Sequence, residues 1–194
     1  MNLLITTIGE YNHSNVWSGG NYDVHLIDYR KTPGFKYPLI AEAVKDLRYD
    51  YYWMPDEDIY ATSEQIDAIF EGMRTYRLDL AQPSVKKSNT SFPSWELFIH
   101  REGADFISTR FVEVMCPCFS RRGLERCLET FPKSNSGWGL DLAWAKLLDY
   151  QNMGIINSVA IKHTRQPTSN RFFRPGDDME RLMAEYGIKE IDVR

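Results

Sequence analysis

The chain has little cysteine, and the little it has forms no pattern. Cys116, Cys118 and Cys127 are the three among 194 residues, too few for the disulfide framework of a small secreted domain. Cys116-Pro117-Cys118 also lacks the two-residue spacer of a redox pair or a zinc knuckle. All three are expected to be small apolar fillers in a reducing cytoplasm. An excess of positive charge is missing as well: the formal net charge is −4 and the pI near 5.6, which excludes a general nucleic-acid binder with a basic face. No apolar run approaches the roughly 18 residues that a transmembrane segment needs. Leu3-Leu4-Ile5 has no basic region before it, so a first strand is expected there rather than a signal peptide. Repeats and low-complexity stretches are absent. What remains, 43% hydrophobic and 26% charged residues, is globular composition. The expected organisation is a single domain over 1–194, with 166–194 as a tail carrying a short helix.

Patterning gives an order of elements. Leu3 to Ile8 reads as a buried strand with Gly9 turning the backbone at its end. Residues 10–22 are a polar loop or a single helical turn, and Val24 to Tyr29 is a second strand. Pro38 to Leu47 has helical apolar spacing. Tyr49 to Met54 is a third strand, and Thr62 with Gln65 forms a capping box that opens a helix to about Tyr76. Leu78 to Gln82 is a short strand ending at Pro83, and 84–103 a long surface segment with two bulky aromatics, Phe92 and Trp95. Phe111 to Phe119 is β-prone, and Ser120 caps a helix to about Thr130. Leu140 to Asn152 is a helix ended by Gly154, and Ile155 to Ile161 the last strand. This alternation predicts an α/β fold with a mostly parallel sheet flanked by helices, whose ligands bind beyond the carboxyl ends of the strands.

The candidate chemistry sits at such ends. Tyr49-Asp-Tyr-Tyr-Trp-Met-Pro runs straight into Asp56, Glu57 and Asp58, and three like charges at the end of a buried strand require something positive beside them. A divalent cation is the simplest candidate, since hard cations prefer carboxylate oxygens; a solvated acidic turn is the alternative. Asp56 and Asp58 are the expected ligands, and Glu57 is expected to face away. In Gly137-Trp138-Gly139-Leu140-Asp141, two glycines bracket a tryptophan suited to stacking on a sugar ring. Asp141 falls in the first turn of a helix, whose dipole is expected to favour the ionised form; plain helix stabilisation and a core tryptophan are the alternative. His163 follows the last strand and could complete a metal site begun by Asp58. Arg165, Arg171 and Arg174 could clamp a diphosphate. Glu113, a lone acid in an apolar run, is either functional or faces solvent.

Trp53-Met54-Pro55-Asp56-Glu57-Asp58-Ile59, Ala81-Gln82-Pro83, Glu113 through Arg121, Gly137 through Asp141 and His163-Thr164-Arg165, in this order, resemble the domain-of-unknown-function 707 family, related to nucleotide-sugar glycosyltransferases of the GT-A fold. The likeness spans roughly residues 2 to 166. It implies a single GT-A-like domain, abbreviated in its N-terminal half. It implies that Asp56 and Asp58, with His163, hold Mn²⁺ or Mg²⁺ on the diphosphate of a UDP- or GDP-sugar. Asp141 would act as catalytic base, or as hydrogen-bond partner of the attacking hydroxyl, towards a carbohydrate or other hydroxyl acceptor, with Trp138, Gly139 and Glu113 at the acceptor. Thr7, Ile8, Gly9, Lys36, Asp56 and Arg165 would meet the nucleotide. The expected location is cytoplasmic, with peripheral attachment at the inner membrane as a second option. Two other readings stay open: a non-catalytic nucleotide- or carbohydrate-binding protein, and a Mg²⁺-dependent phosphoryl hydrolase using a strand-end Asp as nucleophile.

Overall fold

Alternating side chains along the strands divide the core into two apolar layers, one on each face of a central sheet. Leu4, Trp53, Ala81 and Cys118 point to one layer; Leu3, Ile5, Tyr52, Leu80 and Phe119 point to the other, as the two-residue repeat of a strand requires. In the computed structural model, which describes residues 1–166 and 175–191, the strands are β1 (Asn2–Ile8), β2 (Asp23–Asp28), β3 (Tyr51–Trp53), β4 (Ile59–Tyr60), β5 (Leu80–Val85), β6 (Phe106–Ser108), β7 (Cys118–Ser120) and β8 (Met153–His163). The helices are α1 (Lys36–Ala43), α2 (Ser63–Thr75), α3 (Arg121–Cys127), α4 (Leu140–Leu147) and α5 (Pro175–Glu185). Ile66, Ile69, Phe70 and Met73 of α2 cover the first face; Ile40 of α1, Leu124 of α3, Trp144 of α4 and Leu182 of α5 belong to the second.

The sheet is mixed rather than mostly parallel. Its order is β2-β1-β3-β7-β5-β8-β4, with β6 on β8. β1 pairs in parallel with β2 and β3, and β5 with β8; β7 runs antiparallel between β3 and β5. The expected long strand from Phe111 to Phe119 shrinks to the three residues of β7. Phe111, Val112, Met115 and Cys116 are buried, yet in irregular backbone, because the partners of this stretch are not a ladder. Met115 O accepts from Asp56 N at 2.7 Å and Pro117 O from Met54 N at 2.9 Å, while Cys116 O accepts from the Trp53 indole at 3.1 Å.

Other boundaries move for identifiable reasons. β5 continues through Pro83 because its pairing with β8 slips between Pro83 and Ser84, and a proline without an N–H is tolerated at such a bulge. The Ser84 hydroxyl donates there to Val159 O at 2.9 Å. The following segment is not wholly at the surface, since Ser91 and Phe98 are buried. α4 stops at Leu147; Asp149 and Tyr150 take left-handed backbone angles and Tyr150 N bonds back to Ala145 O at 2.9 Å, a common helix closure. Gly154 therefore ends no helix. It lies inside β8, where a Cβ would stand 2.1 Å from the Phe106 ring. The Thr62–Gln65 capping box is formed in full, and the three cysteines are buried and unpaired. No described helix is long and apolar enough to cross a membrane.

Candidate functional site

The pairing directions bring the carboxyl ends of β1, β3, β5 and β8 to one edge of the sheet. Because β7 is antiparallel, the segment that enters it, Glu113 to Pro117, arrives at the same edge. Asp56–Asp58, Glu113, His163 and the turn after β1 consequently meet there.

The three consecutive carboxylates each find a different partner. Asp56 takes Lys36, from the first turn of α1: Nζ lies 2.6 Å from Asp56 Oδ1 and 3.2 Å from Val114 O, and 5.0 Å from the centre of the Tyr37 ring. Burial among neighbours raises the Asp56 carboxyl above its ordinary range; Lys36 pulls it down and Asp58 pushes it up. Glu57, expected to face away, turns inward. It accepts from the backbone N–H of Gly9, from Tyr29 OH at 3.3 Å and from Arg165 Nη1 at 3.2 Å. Arg165 also donates to Tyr11 O at 2.5 Å, tying the loop after β1 to the end of β8. Asp58 faces His163 on the last residue of β8, with Oδ2 3.5 Å from Nε2. Thr164 fixes the same turn through Asp58 O, from its N–H at 3.0 Å and its hydroxyl at 2.8 Å.

The tautomer of His163 follows from its other contact. Nδ1 lies 2.8 Å from Phe92 O, and a carbonyl oxygen only accepts, so Nδ1 carries a hydrogen and Nε2 is the atom presented to Asp58. Burial depresses the imidazole pKa, but Asp58 and the Phe92 carbonyl more than reverse this and raise it. Asp58 is pushed up by burial and pulled further down by His163 and Arg165, ending low. Among the described residues, Asp58 Oδ1 is buried without a hydrogen-bond partner. An orphaned carboxylate oxygen beside a carbonyl-oriented imidazole fits a divalent cation. No three His, Cys, Asp or Glu side chains among the described residues group closely enough to hold one by themselves, since Asp56 is turned to Lys36.

Two further carboxyls are half-buried nearby. Glu113 N donates to Gln82 Oε1 at 2.7 Å, while its Oε2 is buried with no partner among the described residues. Burial raises the Glu113 carboxyl to about 7; the Ser94 hydroxyl and His163 moderate the rise, and Asp141 and Asp56 add to it. Asp141 lies in the first turn of α4, and burial raises it to about 7 too, against the pull of the N–H groups of Leu142, Asp141 and Gly139. The helix dipole was expected to keep it ionised; desolvation outweighs it here. Gly137 and Gly139 hold φ of 82° and 85°, a left-handed conformation open to glycine. A Cβ on Gly139 would stand 2.8 Å from Met179 Cα of α5. Between them Trp138 is 49% exposed, so it is not a core residue.

The other expected residues are less available. Thr7 is buried, Ile8 O accepts from Tyr29 N at 3.2 Å, and the Gly9 N–H is taken by Glu57. Arg171 and Arg174 lie outside the described residues. The inward turn of Glu57 reverses its expected direction, and nothing local in the sequence marks Ser94. A cleft of about 560 Å³ lined by Arg74, Arg77, Asp79, Arg121 and Arg122 lies at the opposite edge of the sheet, away from this cluster.

The sequence matches no protein-family model and no curated protein. Solved structures do match. The fold resembles that of S. aureus TarS. The TarS crystal structure superposes with a TM-score of 0.62 at 12% identity over 96% of this chain, which spans 39% of the TarS chain. TarS 1–349 in complex with UDP-GlcNAc gives 0.58 at 11% identity, over 97% of this chain and 66% of the other; its complex with UDP gives 0.56 at 11%, over 97% and 65%. At these identities the likeness to TarS is one of fold.

Proposed function

We propose that the chain is a glycosyltransferase: it binds a nucleoside-diphosphate sugar at the carboxyl edge of its sheet and transfers the sugar to a hydroxyl acceptor. Membership of the family of unknown function 707 belongs to the same proposal. One observation carries it. A cation-lined acidic turn and two half-buried carboxyls, Glu113 and Asp141, which interact electrostatically, lie together in a fold whose structural neighbour TarS was crystallised with UDP-GlcNAc and UDP. On the donor side, Lys36 and Arg165 supply positive charge for a diphosphate. Asp58 through Oδ1 and His163 through Nε2 would hold Mn²⁺ or Mg²⁺, with Asp56 joining once released from Lys36. Such an ion, when bound, offsets the charge that builds on the departing diphosphate. On the acceptor side, Asp141 takes the proton from the attacking hydroxyl; a carboxylate raised to about 7 is matched to proton transfer near neutral pH. Glu113, neutral over most of the same range, donates a hydrogen bond to the acceptor.

The test is a thermal-shift screen of UDP, GDP and other nucleoside diphosphates with and without Mn²⁺. Stabilisation by one nucleotide, strengthened by Mn²⁺ and losing that increment in Asp58→Ala, is the expected result. No shift with any nucleotide would remove the donor site, and an unchanged Mn²⁺ increment in Asp58→Ala would remove the metal assignment.

A further inference from the structure

Five tryptophans divide unequally between core and surface. Trp17, Trp53 and Trp144 are 0% exposed, whereas Trp95 is 43% and Trp138 49% exposed. Trp138 belongs to the segment that opens α4 and Asp141. Trp95 comes from a different part of the chain, and its segment is fastened to the same site twice. Phe92 N donates to His163 O at 2.9 Å and Phe92 O accepts from His163 Nδ1 at 2.8 Å, while Ser91 Oγ accepts from His163 N at 3.2 Å. Ser94, one residue before Trp95, lies close enough to Glu113 to hold down its carboxyl pKa. The indole itself is held: it packs edge-on against Phe111 at 5.8 Å between ring centres, and Phe111 stacks on Phe98 at 5.8 Å. Phe111 lies two residues before Glu113 in the chain. An exposed tryptophan would ordinarily be free to change rotamer; this one is braced by buried aromatics, so it offers an oriented apolar surface on a segment tied to His163.

We propose that Trp95 forms a wall of the acceptor subsite and stacks on a pyranose ring whose hydroxyls reach Glu113 and Asp141. A pyranose presents C–H groups on its face and hydroxyls around its rim. That matches an indole face on a segment anchored at His163, near the Glu113 and Asp141 carboxyls of the same site, and a rigid aromatic surface gives contact area at little entropic loss. The inference rests on the transferase reading, and its test separates the two.

Cellobiose, lactose and N,N′-diacetylchitobiose are titrated into the protein in the presence of saturating UDP, followed by tryptophan fluorescence and calorimetry. At least one disaccharide is expected to bind. Trp95→Ala should weaken it by about tenfold or more and Trp95→Phe by about threefold or less, with UDP affinity unchanged in both. Unaltered sugar affinity in Trp95→Ala overturns the assignment, as does failure of every disaccharide to bind a protein that binds UDP. Absence of UDP binding in the wild type counts against the transferase reading instead. In that case sugar binding that still depends on Trp95 upholds the wall as a carbohydrate site, and its absence removes both.

Discussion

Glu113 offers the sharpest physical test, because its burial has a computable consequence for stability. Its carboxyl, ordinarily near 4.5, is raised to about 7, chiefly by desolvation, and Oε2 has no hydrogen-bond partner among the described residues. Between these two pH values the folded protein keeps the proton that the unfolded chain has released. Stability from this group is therefore complete below about 4.5 and is lost as the pH rises through about 7. A rise of this size corresponds to about 3 kcal/mol. Glutamine has nearly the same shape and cannot ionise, so Glu113→Gln removes the effect without opening a cavity. Measured by urea denaturation at half-unit steps from pH 4.5 to 8, the stability of Glu113→Gln relative to wild type should climb by about 2–3 kcal/mol. Most of the climb should fall between pH 5 and 7. A difference that stays flat within about 0.5 kcal/mol, the scatter of additive substitutions, would mean that Glu113 ionises as freely in the fold as in water, and the proton-donor role would fall with it.

Three further outcomes can be checked independently. Lys36→Met strips Asp56 of its cation and Val114 O of a donor, and should lower stability by about 1–3 kcal/mol in the same denaturation assay; wild-type stability would show that the pair is idle. Asp141→Asn should lower sugar transfer by about 100-fold or more while UDP affinity stays within about twofold of wild type. Because a base must be ionised to work, wild-type turnover should rise as the pH climbs through about 7, and a rate level from pH 5 to 8 would rule Asp141 out as that base. Gly123→Ala adds a Cβ that would stand 2.2 Å from the Asp79 carbonyl oxygen. Overpacking against backbone, about 1–3 kcal/mol, exceeds the roughly 1 kcal/mol of helix propensity gained. Net destabilisation with intact UDP binding is expected, and stabilisation would show that α3 can move away from β5.

The local patterns that a sequence displays directly were legible here. The Thr62–Gln65 capping box, the strand within the apolar run from Tyr49 to Met54 and the cysteines as apolar filler need only neighbours in sequence or composition to be read. The misreadings share a cause: the deciding partner is distant in the chain. Phe111 to Phe119 is apolar enough for a strand, but Asp56, Met54 and Trp53 claim its carbonyls from about 60 residues away. Pro83 looked like a strand end because the bulge that accommodates it is made by β8. The parallel sheet was inferred from strand–helix alternation, which says nothing about a strand as short as β7. For the candidate site, Asp56, Asp58 and His163 stand out singly at strand ends, Asp141 at a helix start and Glu113 as a lone acid in an apolar run. At Asp141 the N–H groups of the helix start do favour the ionised form, but desolvation, a property of packing that the sequence does not show, outweighs them.

The acidic turn shows why residue type and position alone could not assign the counter-charge. Three carboxylates in succession at a strand end demand positive charge, and a divalent cation is the economical guess from sequence. The fold supplies partners of its own: the cations Lys36 from α1 on Asp56 and Arg165 from beyond β8 on Glu57, and the imidazole of His163 from β8 on Asp58. The partners differ in what they leave free. Lys36 is 15% exposed and engages Asp56 Oδ1 at 2.6 Å, while the Asp56 side chain itself is 42% exposed, so part of its charge is already matched within the fold. Arg165 is 46% exposed and can exchange Glu57 for a phosphate at little loss, as exposed pairs contribute little. Asp58 alone keeps a buried oxygen with no described partner, beside an imidazole whose opposite nitrogen is already fixed. The demand for a cation that the sequence raised for the whole run therefore narrows, in the fold, to one oxygen of Asp58.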